Sequence, residues 1–207
     1  MVSISRKKHD QAEHMEIVDD ELVFKPVTPN RWADLETLFS EHGIQNGCWC
    51  MYWRIPRKEC QRNYGDGNKR FLKQIVESGK VPGILVYHKG KPVGWCSVAP
   101  REDFPVVLRS PTLKPIDDQP VWSIVCFFVS KPFRKSGLTH LLIKAAVQHA
   151  KEHGARIIEA YPIDIHAKYI EYERYSGLTT TYEKEGFKVV FRRSERRPIM
   201  RYYVEEL

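Results

Sequence analysis

The chain has 207 residues, is 42% hydrophobic, and carries five cysteines and a formal net charge of +7. This length suits one domain with an ample core. The sparse, odd set of cysteines speaks against a disulfide framework, and no apolar run is long enough for a membrane-spanning helix. The first twenty residues are polar and charged, without the apolar stretch of a leader. They read as a flexible tail over 1–20 ahead of a single domain over 21–207, in a reduced, cytoplasmic setting. Residues 22–28 read as a first strand. Residues 29–39 read as a helix whose apolar face carries Trp32, Leu35, Leu38 and Phe39. A thiol-rich aromatic stretch, Cys48-Trp49-Cys50-Met51-Tyr52-Trp53, follows. Residues 69–77 read as a second helix, closed by Gly79. Strands over 83–87 and 93–98 flank the hairpin turn Lys89-Gly90-Lys91. Residues 121–129 form a dense apolar run, read as a buried strand. A polar loop, Arg134-Lys135-Ser136-Gly137-Leu138-Thr139, leads into a helix with Leu138, Leu141, Leu142, Ala145, Ala146 and Ala150 on one face. Gly154 stands at its C-cap position. Residues 155–161 read as another buried strand, and 188–191 with 199–204 as a last hairpin. Strands and helices alternate, so the class is α/β, with a mixed sheet.

The order of buried strand, basic turn and amphipathic helix has a chemical meaning. The turn sets unpaired backbone N–H groups and a helix N-terminus beside Arg134 and Lys135. Such a place suits an anion, phosphate above all. It is not a nucleotide P-loop, because Gly137 is followed by Leu138, and it lacks the three glycines of a dinucleotide fingerprint.

Arg134, Gly137 and Thr139 occupy the fixed positions of the Arg/Gln-x-x-Gly-x-Gly/Ala loop of the GNAT acyl-CoA-dependent N-acetyltransferases, which the chain resembles from about Leu22 onward. Thr139 departs from the small last residue of that loop. The stretches Cys48-Trp49-Cys50-Met51-Tyr52-Trp53, 92–100 and Glu159-Ala160-Tyr161-Pro162 resemble a bacterial subgroup of the family. The resemblance implies a central mixed sheet flanked by helices and splayed between its fourth and fifth strands. It implies acetyl-CoA as co-substrate, with the pyrophosphate on Arg134, Lys135, Ser136, Gly137, Leu138 and Thr139. The pantetheine arm would lie on Phe127, Phe128 and Val129, where strand pairing should be incomplete. Tyr182, before the exit pair Gly186-Phe187, takes the position of the tyrosine near the CoA sulfur. The fourth strand carries no glutamate, so the base is sought among Glu102, Asp103, Glu159 and His166. Glu159 is the candidate placed in a buried strand, where an altered pKa is expected.

Trp49, Tyr52 and Trp53 lie in the connection that borders the acceptor amine in the family. They serve either as an acceptor-binding wall or as packed core. Cys48 and Cys50 lack the spacing of paired zinc ligands, and no second pair follows, so no metal is expected. Cys96 and Cys126, inside apolar strands, read as ordinary buried thiols. Arg192, Arg193, Arg196 and Arg197, near Tyr202 and Tyr203, would suit nucleic acid. Without an accompanying motif they read as a solvated turn. The expected activity is direct acetyl transfer to a small amine. A protein or peptide acceptor is an alternative, as is a CoA-binding regulator without turnover. A homodimer is compatible with either, and no membrane association is expected.

Overall fold

The computed structural model describes residues 5–7, 14–16, 21–41, 44, 47–166 and 175–204. Most of the expected tail over 1–20 lies outside these residues. Within it, Ser5–Lys7 pairs with His14–Glu16 as a small separate antiparallel ribbon.

Seven strands form the main sheet: β1 (Leu22–Pro26), β2 (Gly83–His88), β3 (Lys91–Pro100), β4 (Trp122–Val129), β5 (Ile157–Ala160), β6 (Lys188–Phe191) and β7 (Ile199–Tyr203). Their order is β1-β2-β3-β4-β5-β7-β6. All neighbours are antiparallel except β4 and β5, which run parallel. That parallel pair needs a long crossover, which α5 (Leu138–Glu152) supplies. The β2–β3 hairpin closes on two positive-φ residues, Lys89 (φ 49°) and Gly90 (φ 76°), which matches the right-handed twist of the strands.

Helices cover both faces. On one face α5 lays Leu138, Leu142, Ile143, Ala146 and Ala150 against Val86, Cys96, Val98, Ile124 and Ile158. The other face is covered by α1 (Trp32–Glu41) and α3 (Asp66–Glu77), whose Leu35, Phe39, Leu72 and Val76 meet Leu85 and Trp95. A third cluster sits under the β4–β5 junction and joins Trp53, Phe104, Val107, Leu113 and Tyr161. A sheet covered on both sides explains why β2 to β5 read as near-continuous apolar runs rather than alternating ones.

The expected elements recur with shifted ends. The first helix begins at Trp32 after a 3₁₀ turn over Pro29–Arg31, and the α5 cap glycine, Gly154, has φ 80°. Three short helices carry no amphipathic period in the sequence: α2 (Arg57–Arg62), α4 (Pro105–Leu108) and the turn Met51–Trp53. One glycine positions α5. A Cβ on Gly94 in β3 would meet Val86 Cγ1 at 2.9 Å and Leu138 Cδ2 at 3.3 Å, so the first turn of α5 seats closely only over a glycine.

Candidate active site

The sheet opens at β4. Trp122, Ser123 and Ile124 pair with Ile158, Glu159 and Ala160, and there the β4–β5 ladder stops. Two local features end it. Pro162 lies two residues beyond the last pair and has no N–H to continue the ladder. On the β3 side, Ser97 pairs with Cys126 and Val98 with Ile124, so Val125 is an extra residue, a bulge, in β4. The bulge resets the alternation of side chains. Ile124 and Phe127, three apart, share the α5 face, whereas Val125, Cys126 and Phe128 belong to clusters on the opposite face. Beyond Ile124 the β5-facing edge of β4, with Phe127, Phe128 and Val129, is free of the β5 ladder. The expected splay is therefore present.

This open edge runs into the basic loop. Arg134 is exposed, and its Nε donates to the Val129 carbonyl at 3.1 Å, which ties the loop to the strand end. Lys135 (φ 62°) and Gly137 (φ 85°) are both left-handed. Among the described residues, the N–H groups of Lys135, Ser136, Gly137, Leu138 and Thr139 donate to no other backbone group. No acidic residue stands in the first turn of α5. Five free N–H groups, two left-handed bends and two cations make a concave anion cradle. A Cβ placed on Gly137 meets no protein atom within 4 Å, so the space over the cradle is open. These features fit a pyrophosphate.

Tyr182 stands at the other side of the opening, on α6 (Thr179–Lys184). It is 0% exposed, and among the described residues its hydroxyl has no hydrogen-bond partner. Its ring lies 6.1 Å from that of Phe127. Gly177 (φ 79°) makes room for it, because a Cβ there would come within 2.9 Å of Tyr182 Cε2. Burial pushes its pKa well above that of free tyrosine, so the phenol is protonated at neutral pH. A buried unpartnered hydroxyl is costly and calls for a function. Glu185, at the end of α6, accepts from His140 (2.8 Å) and pairs with Lys144 (3.7 Å), locking α6 to α5.

The thiol-rich loop is strained. Gly47, Trp49 and Cys50 all have positive φ, rare for a bulky residue such as tryptophan. The strain splits the three aromatics. Trp49 packs on Trp32 (6.0 Å) and Phe39 (5.3 Å) inside the α1–α3 core. Tyr52 and Trp53 turn instead toward the β4–β5 junction. Their rings are 4.9 Å apart, and Tyr175 lies 6.2 Å from Tyr52. The Arg197 guanidinium lies 5.7 Å from the Trp53 ring and 5.9 Å from that of Tyr175. Sulfur atoms gather behind this wall. Cys50 and Cys126 are 3.4 Å apart, and Trp95 Nε1 donates to Cys50 at 3.1 Å. Hydrogen bonds from the Cys60 thiol and from the N–H groups of Tyr52, Met51 and Cys50 lower the Cys48 pKa to about 7, against burial. Among the described residues no group of three or more potential ligands could hold a metal ion.

Glu159 is 1% exposed, and both its oxygens are committed. Arg201 Nε donates to one at 2.8 Å, and the Tyr161 hydroxyl to the other at 2.8 Å. Asp117 completes the network through Arg201 (2.6 Å), and Ser123 joins through Tyr161 (3.0 Å). A carboxylate held in this way is a poor base for an incoming amine. Asp103 pairs with Lys80 (2.8 Å) and faces Arg54 (3.9 Å), whereas Glu102 and His166 are exposed. Sequence reasoning did not place Tyr175 and Arg197 at this wall, because nothing local links the arginine cluster to β5. That cluster is not a freely solvated turn. Arg192 pairs with Asp164 (2.8 Å), Arg193 donates to the carbonyls of Lys114 (2.6 Å) and Pro115 (3.2 Å), and Arg197 donates to that of Tyr161 (3.0 Å).

A mixed sheet splayed beside an anion cradle defines an acyltransferase architecture. The acetyltransferase (GNAT) family profile matches residues 45–168, more than half of the chain. Solved structures agree on the fold. A GNAT-family acetyltransferase from Listeria monocytogenes superposes with a TM-score of 0.54 at 13% identity, over 88% of this chain and 95% of that one. PaiA N-acetyltransferase from Thermoplasma acidophilum, solved with coenzyme A, gives 0.50 at 12% identity, over 88% and 99%. An agmatine N-acetyltransferase gives 0.51 at 12% identity, over 89% and 99%. No functionally curated protein matches the sequence. The chain belongs to the GNAT family of acetyltransferases. No helix among the described residues is long and apolar enough to cross a membrane.

Proposed function

We propose that the protein moves the acetyl group of acetyl-CoA directly to the primary amine of a small acceptor. The observation that carries this is the continuity of the open β4 edge with the N–H cradle at the start of α5. The cradle and the cations of Arg134 and Lys135 hold the pyrophosphate. The main chain at Phe127, Phe128 and Val129 offers hydrogen bonds to the pantetheine arm. In this reading the thioester lies at the mouth of the splay, beside Tyr182.

The acceptor enters over Tyr52 and Trp53, with Trp49 supporting that wall from the core. Its neutral nitrogen attacks the thioester carbonyl, and the carbonyl electrons move onto oxygen. The oxyanion collapses, the C–S bond breaks, and Tyr182 gives its proton to the departing thiolate. The amine proton leaves through water. Glu159 acts as a positioning residue: it holds Tyr161 and Arg201, and so the end of β5, in place. Most of the rate comes from alignment of the two reactants. The assay is thiol release from acetyl-CoA across a panel of amines, with mass spectrometry of the products. The proposal fails if calorimetry shows CoA bound yet no amine is acetylated. It also fails if CoA does not bind.

A further inference from the structure

We propose that Arg197 binds a carboxylate of the acceptor, so that the amine acetylated is an acid as well, of the amino-acid kind. This rests on the acetyltransferase reading above and narrows its substrate class.

Among the described residues the buried arginines are answered by carboxylates. Arg201 pairs with Glu159 and Asp117, Arg101 faces Glu159, and Arg54 faces Asp103. Arg197 differs. It is half-buried, and among the described residues no carboxylate pairs with it. Among the described residues its one side-chain hydrogen bond runs from Nη1 to the Tyr161 carbonyl at 3.0 Å, at the end of β5 where the sheet parts. A guanidinium has five N–H donors, so four are left. The rings of Trp53 and Tyr175 brace the cation at 5.7 and 5.9 Å, which holds it without neutralising it. A partly desolvated cation so held is ready for a planar anion, and a carboxylate fits its fork.

The surroundings point the same way. Trp53 Nε1 is buried without a partner, and an indole N–H can only donate. The Trp53 N–H and the Arg197 fork are thus both donor-only groups, and together they suit an acceptor-bearing ligand. The charge of Arg197 also acts on both the Tyr175 and the Tyr182 hydroxyls, where it opposes the upward pull of burial. The cation therefore lies within electrostatic reach of the group proposed to protonate the thiolate. A carboxylate seated on Arg197 keeps an α-amine only two bonds away, on the thioester side of the wall. The faces of Tyr52 and Trp53 leave an apolar strip for the side chain. A polyamine would bring its second cation against Arg197 and be repelled.

The test uses matched pairs of amines, each an α-amino acid and its decarboxylated counterpart: phenylalanine with phenethylamine, tyrosine with tyramine, methionine with 3-(methylthio)propylamine. Wild type, Arg197→Gln and Arg197→Lys are assayed with acetyl-CoA, and CoA affinity and melting temperature are measured in each. For wild type we expect a preference for the acid of roughly 10- to 100-fold in kcat/KM, the range of a charge-assisted hydrogen-bonded pair. In Arg197→Gln the preference should collapse, mainly through KM for the acid, while any change in kcat from losing the charge near Tyr182 is common to both members of a pair. If Arg197→Gln does not fold, Arg197→Lys decides. It should keep a reduced preference, because the charge stays and the fork is lost. Decarboxylated amines that match or beat their acids in wild type would overturn the carboxylate site and leave the acetyltransferase standing. So would a preference that survives Arg197→Gln. Transfer to neither member of any pair, with CoA bound, would overturn both.

Discussion

Gly137→Ala separates a structural role of the cradle from a binding role. Gly137 has φ 85°, and a Cβ there meets nothing within 4 Å. The protein itself therefore offers no clash, and the stability cost is that of alanine in a left-handed conformation, about 1 kcal/mol. For a domain of this size that lowers Tm by about 2–4 °C. Binding should suffer more. The new methyl group occupies the open face of the N–H groups over residues 135–139, and a charge-assisted hydrogen bond is worth ~1.5–3 kcal/mol. Loss of one such contact weakens CoA binding roughly 10- to 100-fold. Gly154→Ala is the matched control. Gly154 has φ 80° and equally open space, but caps the far end of α5. Both variants should lose similar Tm in a thermal melt, and only Gly137→Ala should lose CoA affinity in calorimetry. Equal CoA affinity in the two variants would refute the cradle as the phosphate site, because strain alone would then account for everything.

Three further outcomes are expected. Tyr182→Phe removes a buried hydroxyl that has no partner, so a melt should show stability unchanged or slightly raised, while kcat falls ~100-fold and CoA affinity holds; an unchanged kcat with the true acceptor would remove the acid role. Glu159→Gln leaves the buried Arg101 without its carboxylate and Arg201 with Asp117 alone, and chemical denaturation should show a loss of ~1–3 kcal/mol. Loss of activity without loss of stability would instead return Glu159 to the role of base. Cys48 should be the first thiol alkylated by iodoacetamide. The thiolate is the reactive form, so its rate should climb as pH rises through about 7, whereas burial and neighbouring thiols hold Cys60, Cys96 and Cys126 in the protonated form. Peptide mapping that finds Cys96 or Cys126 labelled ahead of Cys48 would contradict the hydrogen-bonded thiolate.

What was legible in the sequence was local. The strand, basic loop and helix around Gly137 announce themselves by composition, turn chemistry and period, and each is settled within a few residues. Tyr182 followed from its spacing to Gly186 and Phe187. Contacts created by closure of the sheet were hidden. Glu159 lies directly opposite Arg201 because β7 pairs with β5, and no pattern near either residue specifies that register. Arg197 reaches Tyr161 through the same closure, so a cluster that looks solvated in the sequence becomes partly interior. The split of Trp49 from Tyr52 and Trp53 depends on left-handed backbone at Trp49 and Cys50. Residue preferences argue against that conformation, and the surrounding packing overrides them.

The bulge at Val125 makes β4 a strand with two phases. From Trp122 to Ile124 it is in step with β5. From Cys126 onward it is in step only with β3, and one added residue converts the first beat into the second. Deleting Val125 would restore an even ladder with β3 and remove the local distortion. The faces would not change, because Ile124 and Phe127 would still stand opposite Val98 and Cys96 toward α5, and Phe128 opposite Trp95. What would go is Val125 itself, which packs in the cluster of Trp53 and Phe104, together with the local bend of β4 beside the β5 ladder's end. The most regular version of this sheet would therefore keep its two faces and lose the bend at the place proposed for the thioester. In this chain an insertion that looks like an irregularity is what divides a structural strand from a chemical one.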